Sequence, residues 1–409
     1  MRSLSFAALL CLSSSAPLLE AEEPSFETWS YTGTDIYPSA LIATATVDWH
    51  GETEGEAEEE AEADPDVAEI LGDPNGWIGA RLFDIPEGAK IRVEVSGEGW
   101  LKTSRTEVTV EEGADEVIVI PKGIFDYETL GKIRQQKPAS VSVKVSVNGR
   151  KLPDQTETVV LRSINECPFF IHFGEDAAPD DLSWMFAAYV NENHPWIDGI
   201  LKEALDAGLV DSFDGYQSRD PEKVLQQVYA IWHVLQRKGI RYSDITATPR
   251  SKFASAQTVR FLDDSVKATQ ANCVDGSVIF ASILTKLSIT CGLVLVPGHC
   301  FVCFDLDPEG TLDPTSDTCL GLETTLLGAD KLKPLEELKK LPEQAKLKAL
   351  KTENKASTKT FFNAMETAEA VFAEHGDAFL DDEGGTEYQI IPIADARELG
   401  IMPLAAPEK

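Results

Sequence analysis

The chain has 409 residues, 43% hydrophobic and 26% charged, a balance that excludes wholesale disorder, collagen and coiled coil and leaves room for more than one ordinary domain. Its 36 basic against 69 acidic side chains give a formal charge of −33, a surface that repels nucleic acid and anionic lipid and argues against a phosphate-backbone binder.

Residues 1–21 read differently from the rest. Arg2 precedes the apolar stretch Leu4–Leu19, broken by Ser13–Ser15, and Ala21 supplies a small residue before a cleavage point. This is the plan of a signal peptide, so a periplasmic or extracellular location is expected. The stretch is too short and too serine-rich for a membrane span, and no later run reaches about 18 uninterrupted apolar residues. Leu10 before Cys11 is a poor match to a lipid-attachment site. Six further cysteines permit disulfides in an exported chain, Cys291 with Cys319 for example, but are too few for a disulfide scaffold.

From 22 to 170 short runs rich in Val, Ile and Thr predict strands: Leu41–Val47, Lys90–Val95, Glu107–Val110, Glu116–Ile120, Ser140–Val147 and Glu157–Leu161. Breaks such as Pro86-Glu87-Gly88 and Val147-Asn148-Gly149 separate them. The spacing suggests an antiparallel β-sandwich of immunoglobulin-like type. A loop over 51–69, where nearly every second residue is acidic, interrupts it. Such charge density cannot join a core and lacks the spacing of an EF-hand calcium loop.

From 171 to 409 the helical period takes over, giving an α+β chain with its boundary near Phe170. Helices are predicted at Ser183–Val190 and Trp196–Ala207. Another begins at Pro221, carries Val224, Val228, Ile231 and Leu235 on one face, and stops at Gly239. An exposed helical connection over Pro334–Lys355, a helix over Phe361–Glu374 and a strand over Tyr388–Ile393 complete the reading. Core packing is expected for Tyr216, Trp232 and Tyr242.

The chemistry concentrates in Ala271–Asp305. Asn272 is a good N-cap, and Asp275 three residues later completes a capping-box-like pattern. Cys273 then falls in the first turn of a buried helix, where free backbone N–H groups favour a thiolate. Leu293–Val296, the turn Pro297-Gly298 and a strand starting at His299 follow. Alternation puts His299, Phe301 and Cys303 on one face and Cys300, Val302 and Phe304 on the other, so Cys300 and Cys303 do not form a metal knuckle. A helix-borne cysteine and a histidine on an adjacent strand form a nucleophile–base pair, which a third side chain orients. Asp313 and Glu323 are both candidates. Glu323 is preferred because it opens an apolar stretch, Leu320–Leu327, read as a neighbouring strand.

This order of Cys273, His299 and acid resembles the transglutaminase-like superfamily of papain-like folds, as does the helix end leading to Ile240-Arg241-Tyr242. NCVDGSVIFASIL, LVPGH, GLETT and ARELGIMPL are similar to bacterial transglutaminase-like proteins, over roughly Ser183 to Leu404. The family's His-Ala-Trp stands here as His299-Cys300-Phe301. The resemblance implies acyl transfer or amide hydrolysis with Cys273 as nucleophile, His299 as base, and Glu323 or Asp313 as orienter. The Cys273 backbone N–H would form the oxyanion site with Gln257 or Gln270. It implies a protein, peptide or cell-envelope substrate and no cofactor or metal. The competing reading is a silent module of the same fold that binds peptides or serves the envelope structurally.

Overall fold

The computed structural model describes residues 23–47, 69–173, 178–244, 248–339, 355–380 and 387–405. The signal-like segment and all of the acidic loop except Glu69 lie outside the described residues. Helix and strand take nearly equal shares, 32% and 31%. The longer helices all follow residue 195, which makes the architecture α+β.

The N-terminal part is built on two sheets. One has the order Ser25–Ser30, Ile78–Ile85, Ala114–Ile120, Glu69–Gly72. The other runs Asp35–Ile36, Gln155–Leu161, Lys137–Val147, Lys90–Gly97, Leu101–Thr109, Ile124–Phe125, with Arg150–Lys151 also paired to Lys137–Val147. Strand alternation places Ile91, Val93 and Val95 of one strand and Val141, Val143 and Val145 of its neighbour in the core, together with Ile78, Leu82, Val117 and Val119 of the other sheet. Two edge pairings are parallel, not antiparallel as expected: Glu69–Gly72 on Ala114–Ile120 and Asp35–Ile36 on Gln155–Leu161. Parallel neighbours need long crossovers, and both partners are far apart in sequence.

Leu41–Val47 is also not a strand. Pro38 starts a short helix, Pro38–Ala43, and the Thr44 hydroxyl donates back to the Ala40 carbonyl at its end. Burial of five of its six residues outweighs the β propensity of Ile and Thr there.

Residue 170 lies inside the strand Glu166–Ile171, which pairs with Ala254–Thr258. The two parts therefore share hydrogen bonds as well as a continuous apolar core. Arg162 lies buried at this seam, bonding Glu166 at 2.5 Å, the Pro249 carbonyl at 2.5 Å and Asp35 at 3.5 Å. The C-terminal tail also reaches back, with Met402 N–H donating to the Ala43 carbonyl and Leu404 N–H to that of Ala188.

The C-terminal part centres on an antiparallel sheet of order Cys319–Leu322, His299–Asp305, Cys291–Val296, Gln389–Pro392. Its two faces bury different clusters, as the alternation predicts. Cys300, Val302 and Phe304 face the helix Cys273–Lys286, while Phe301 and Cys303 join Ala368 and Phe372 of the helix Lys355–His375. The helix Pro221–Arg237 begins with Pro221 behind the N-cap Asp220 and closes the core through Trp232 against Phe280 and Phe361. Ser183–Tyr189 is 3₁₀ and not α-helical, and in the Pro334–Lys355 connection Leu335–Glu337 is a 3₁₀ turn. Residues 340–354 of that connection lie outside the described residues.

Candidate active site

The helix Cys273–Lys286 starts as its sequence dictates. Asn272 Oδ1 accepts the Asp275 N–H at 2.8 Å and Asp275 Oδ2 accepts the Asn272 N–H at 3.0 Å, a complete capping box. Asp275 is fully buried and does more than cap. It also accepts the Arg260 N–H and the Arg260 guanidinium, both at 2.7 Å. Asn272 Nδ2 donates to the Thr258 carbonyl at 3.3 Å. The first turn is thus tied to the chain around Thr258–Arg260, and half-buried Cys273 sits on top of it with first-turn N–H groups that have no intrahelical carbonyl.

His299 is brought to this point by a tight hairpin. Val296 pairs with His299 across Pro297-Gly298, and Gly298 takes φ +71°, the left-handed conformation glycine adopts without strain. His299 Nε2 meets Glu323 Oε2 at 2.5 Å. The Cys273 side chain is its other hydrogen-bond partner. Cys273 first and Glu323 second raise the His299 pKa from 6.5 to about 10, against the opposing effect of burial. Both partners therefore favour the protonated form of the imidazole.

Glu323 is not the start of a strand. The strand ends at Leu322, and Glu323 caps the 3₁₀ turn Thr324–Leu326. Its Oε1 accepts the Thr325 N–H at 3.0 Å and the Thr325 hydroxyl at 2.6 Å, which leaves Oε2 for the imidazole. Thr324 faces the other way, its hydroxyl 3.5 Å from the Cys273 carbonyl and 3.4 Å from the Ser277 hydroxyl. Ser277 itself donates to the Cys273 carbonyl at 2.8 Å.

Asp313 is elsewhere. Its carboxylate accepts from the Thr315 N–H and hydroxyl within its own Pro/Ser/Asp-rich loop, and among the two acids it is Glu323 that reaches His299. Gln257 lies on the strand Ala254–Thr258, its amide donating to the Thr258 carbonyl at 3.1 Å. Gln270 pairs with Arg241 in the two-residue strand just before the Asn272 cap. Among the described residues no hydrogen bond joins either glutamine to Cys273. All six cysteines after Cys11 are free thiols.

Sequence reasoning missed three participants. Arg260 had no local signal, because its role depends on a turn folding back onto Asp275. Thr325 was legible as the second Thr of Glu-Thr-Thr, a residue able to bond a carboxylate two positions earlier. Tyr242 is not core: it is half exposed, and burial, Asp244, Cys273 and Glu323 together raise its phenol pKa. It borders a narrow cleft with Ala271, Gly276 and Thr324.

No protein-family model matches the chain, and no curated protein matches its sequence.

Proposed function

We propose that the protein is an exported transglutaminase-like thiol enzyme that performs acyl transfer or amide hydrolysis on a protein or peptide. Its N-terminal β-rich part is read as an immunoglobulin-like sandwich. One observation carries the proposal: a single imidazole is shared between a helix-start cysteine and a buried carboxylate, with the carboxylate 2.5 Å from Nε2.

In this reading the Cys273 thiolate attacks an amide carbonyl. The developing oxyanion is met by the Cys273 N–H, with Gln257 or Gln270 as side-chain donor. His299, already protonated, gives its proton to the departing amine as the C–N bond breaks, leaving a thioester on Cys273. Neutral His299 then takes a proton from water or an amine, which attacks the thioester and frees the thiolate. Glu323 keeps the imidazole oriented and stabilises its charged form. No helix among the described residues is long and apolar enough to cross a membrane.

The test is alkylation of Cys273 by iodoacetamide from pH 4 to 10, with the adduct located by mass spectrometry. Fast labelling at neutral pH that His299→Ala slows supports the reading. Labelling no faster than an ordinary thiol, and indifferent to His299→Ala, refutes it and leaves a peptide-binding or structural module.

A further inference from the structure

Glu323 sits one residue beyond an edge strand, Cys319–Leu322, whose sheet neighbour on one side is the His299 strand. Edge strands present outward backbone groups that need other partners. Here the helix Lys355–His375 lies along that edge and supplies them. Gly321 N–H donates to Glu369 Oε1 at 2.8 Å, and Glu323 N–H donates to the Ala364 carbonyl at 3.1 Å. The same face continues down the chain, Asn363 accepting the Lys333 N–H and Glu366 the Lys339 N–H, each at 2.9 Å. The approach is close enough to exclude a side chain at Gly321, where a Cβ would lie 2.6 Å from the Ala368 Cβ.

Glu369 is the expensive member of this row. It is 9% exposed, beside Ala368 and Phe372, and burial raises its pKa from 4.5 to about 7. A carboxyl in such a place costs stability that an apolar side chain would not. Its carboxylate accepts the Gly321 N–H of the strand that delivers Glu323, and a 2.5 Å contact between Glu323 and His299 tolerates little drift of that strand.

We propose that Glu369 is a positioning residue of the candidate site: by accepting the outward N–H of Gly321 it fixes the strand end from which Glu323 reaches His299. The proposal rests on the acyl-transfer reading above.

The test measures iodoacetamide labelling of Cys273 in the full chain across the same pH range. The variants are Glu369→Leu, Glu369→Gln, Glu323→Gln, His299→Ala and, as a control for general loosening of the helix, Phe362→Leu. Glu369→Leu should slow labelling at pH 7 roughly tenfold, while Glu369→Gln, which keeps an acceptor oxygen, recovers most of the rate. Phe362→Leu should lower thermal stability without moving the labelling profile. If Glu369→Leu does not fold, Glu369→Asp, which withdraws the acceptor by one methylene, is read in its place. Labelling of the Glu369 variant at the native rate while Glu323→Gln is slowed overturns the positioning role, as does equal slowing by Phe362→Leu. Native labelling in Glu323→Gln and His299→Ala as well overturns the underlying reading instead.

Discussion

The two ends of the candidate site are held in opposite ways. Cys273 is placed by its near neighbours: Asn272 and Asp275 close a capping box around it, and Arg260 joins from fifteen residues before Asp275. Glu323 is placed from a distance, its strand pinned by Glu369 forty-eight residues beyond Gly321 and its own N–H by Ala364. The nucleophile is therefore encoded locally, the orienting acid only once two remote segments have packed. His299 is where the two systems meet, so its titration reports on both.

The largest effect is expected there. Cys273 and Glu323 both raise the His299 pKa, so removing either must lower it. Cys273→Ala and Glu323→Gln should each bring the imidazole from about 10 back towards 6.5, as followed by NMR of its ring resonances across pH. A variant whose imidazole still titrates near 10 would show that its end of the site is not coupled to His299, and would break the comparison.

Breaking the local end comes next. Asp275→Ala removes a buried carboxylate that accepts two hydrogen bonds from Arg260, together with half of the capping box, and a hydrogen bond to a charged group contributes about 1.5–3 kcal/mol. Urea unfolding should register that loss together with slower labelling of Cys273. If labelling is untouched, the capping box stabilises the helix without placing the thiol.

The distant end is tested through pH. Glu369 carries a raised pKa because it is buried, with the nearby Glu366 charge adding to the effect and the Gly321 N–H opposing it. Between 4.5 and about 7 the folded state holds a proton that the unfolded chain has released, so stability falls as pH rises through that window. Glu369→Gln lacks this loss. Its stability relative to the native chain should climb by roughly 3 kcal/mol from pH 4.5 to 7 and level off above. A difference that stays flat across the window would mean that Glu369 has an ordinary carboxyl.

The same contrast explains what was legible in the sequence. Asn272, Asp275 and the turn Pro297-Gly298 are short-range codes, and the Cys273 helix and His299 strand follow from them. The Pro221 helix start and the Gly239 stop, with φ +80°, belong to the same class. Glu323 was a candidate on the strength of its apolar surroundings, yet it stands after its strand, because Thr325 recruits its carboxylate into a turn. The helix in place of a strand at Leu41–Ala43 and the parallel edge pairings are settled by burial and long crossovers, which no local pattern encodes. Arg260 and Glu369 left no trace, since each acts through a segment that is near only in space.

One residue bridges the two systems. Gly276 lies on the Cys273 helix, and a Cβ there would stand 2.5 Å from the Thr324 hydroxyl and 2.9 Å from its Cβ. The helix can approach the 3₁₀ turn behind Glu323 only because that position has no side chain. Gly276→Ala improves helix propensity by about 1 kcal/mol, but it must push Thr324 away, and overpacking of this kind costs about 1–3 kcal/mol. The net change in stability should be small. The displacement, however, acts directly on the residue next to Glu323, so labelling of Cys273 should slow more than stability falls. A variant that is less stable yet labels at the native rate would show that the two ends of the site are coupled only through His299.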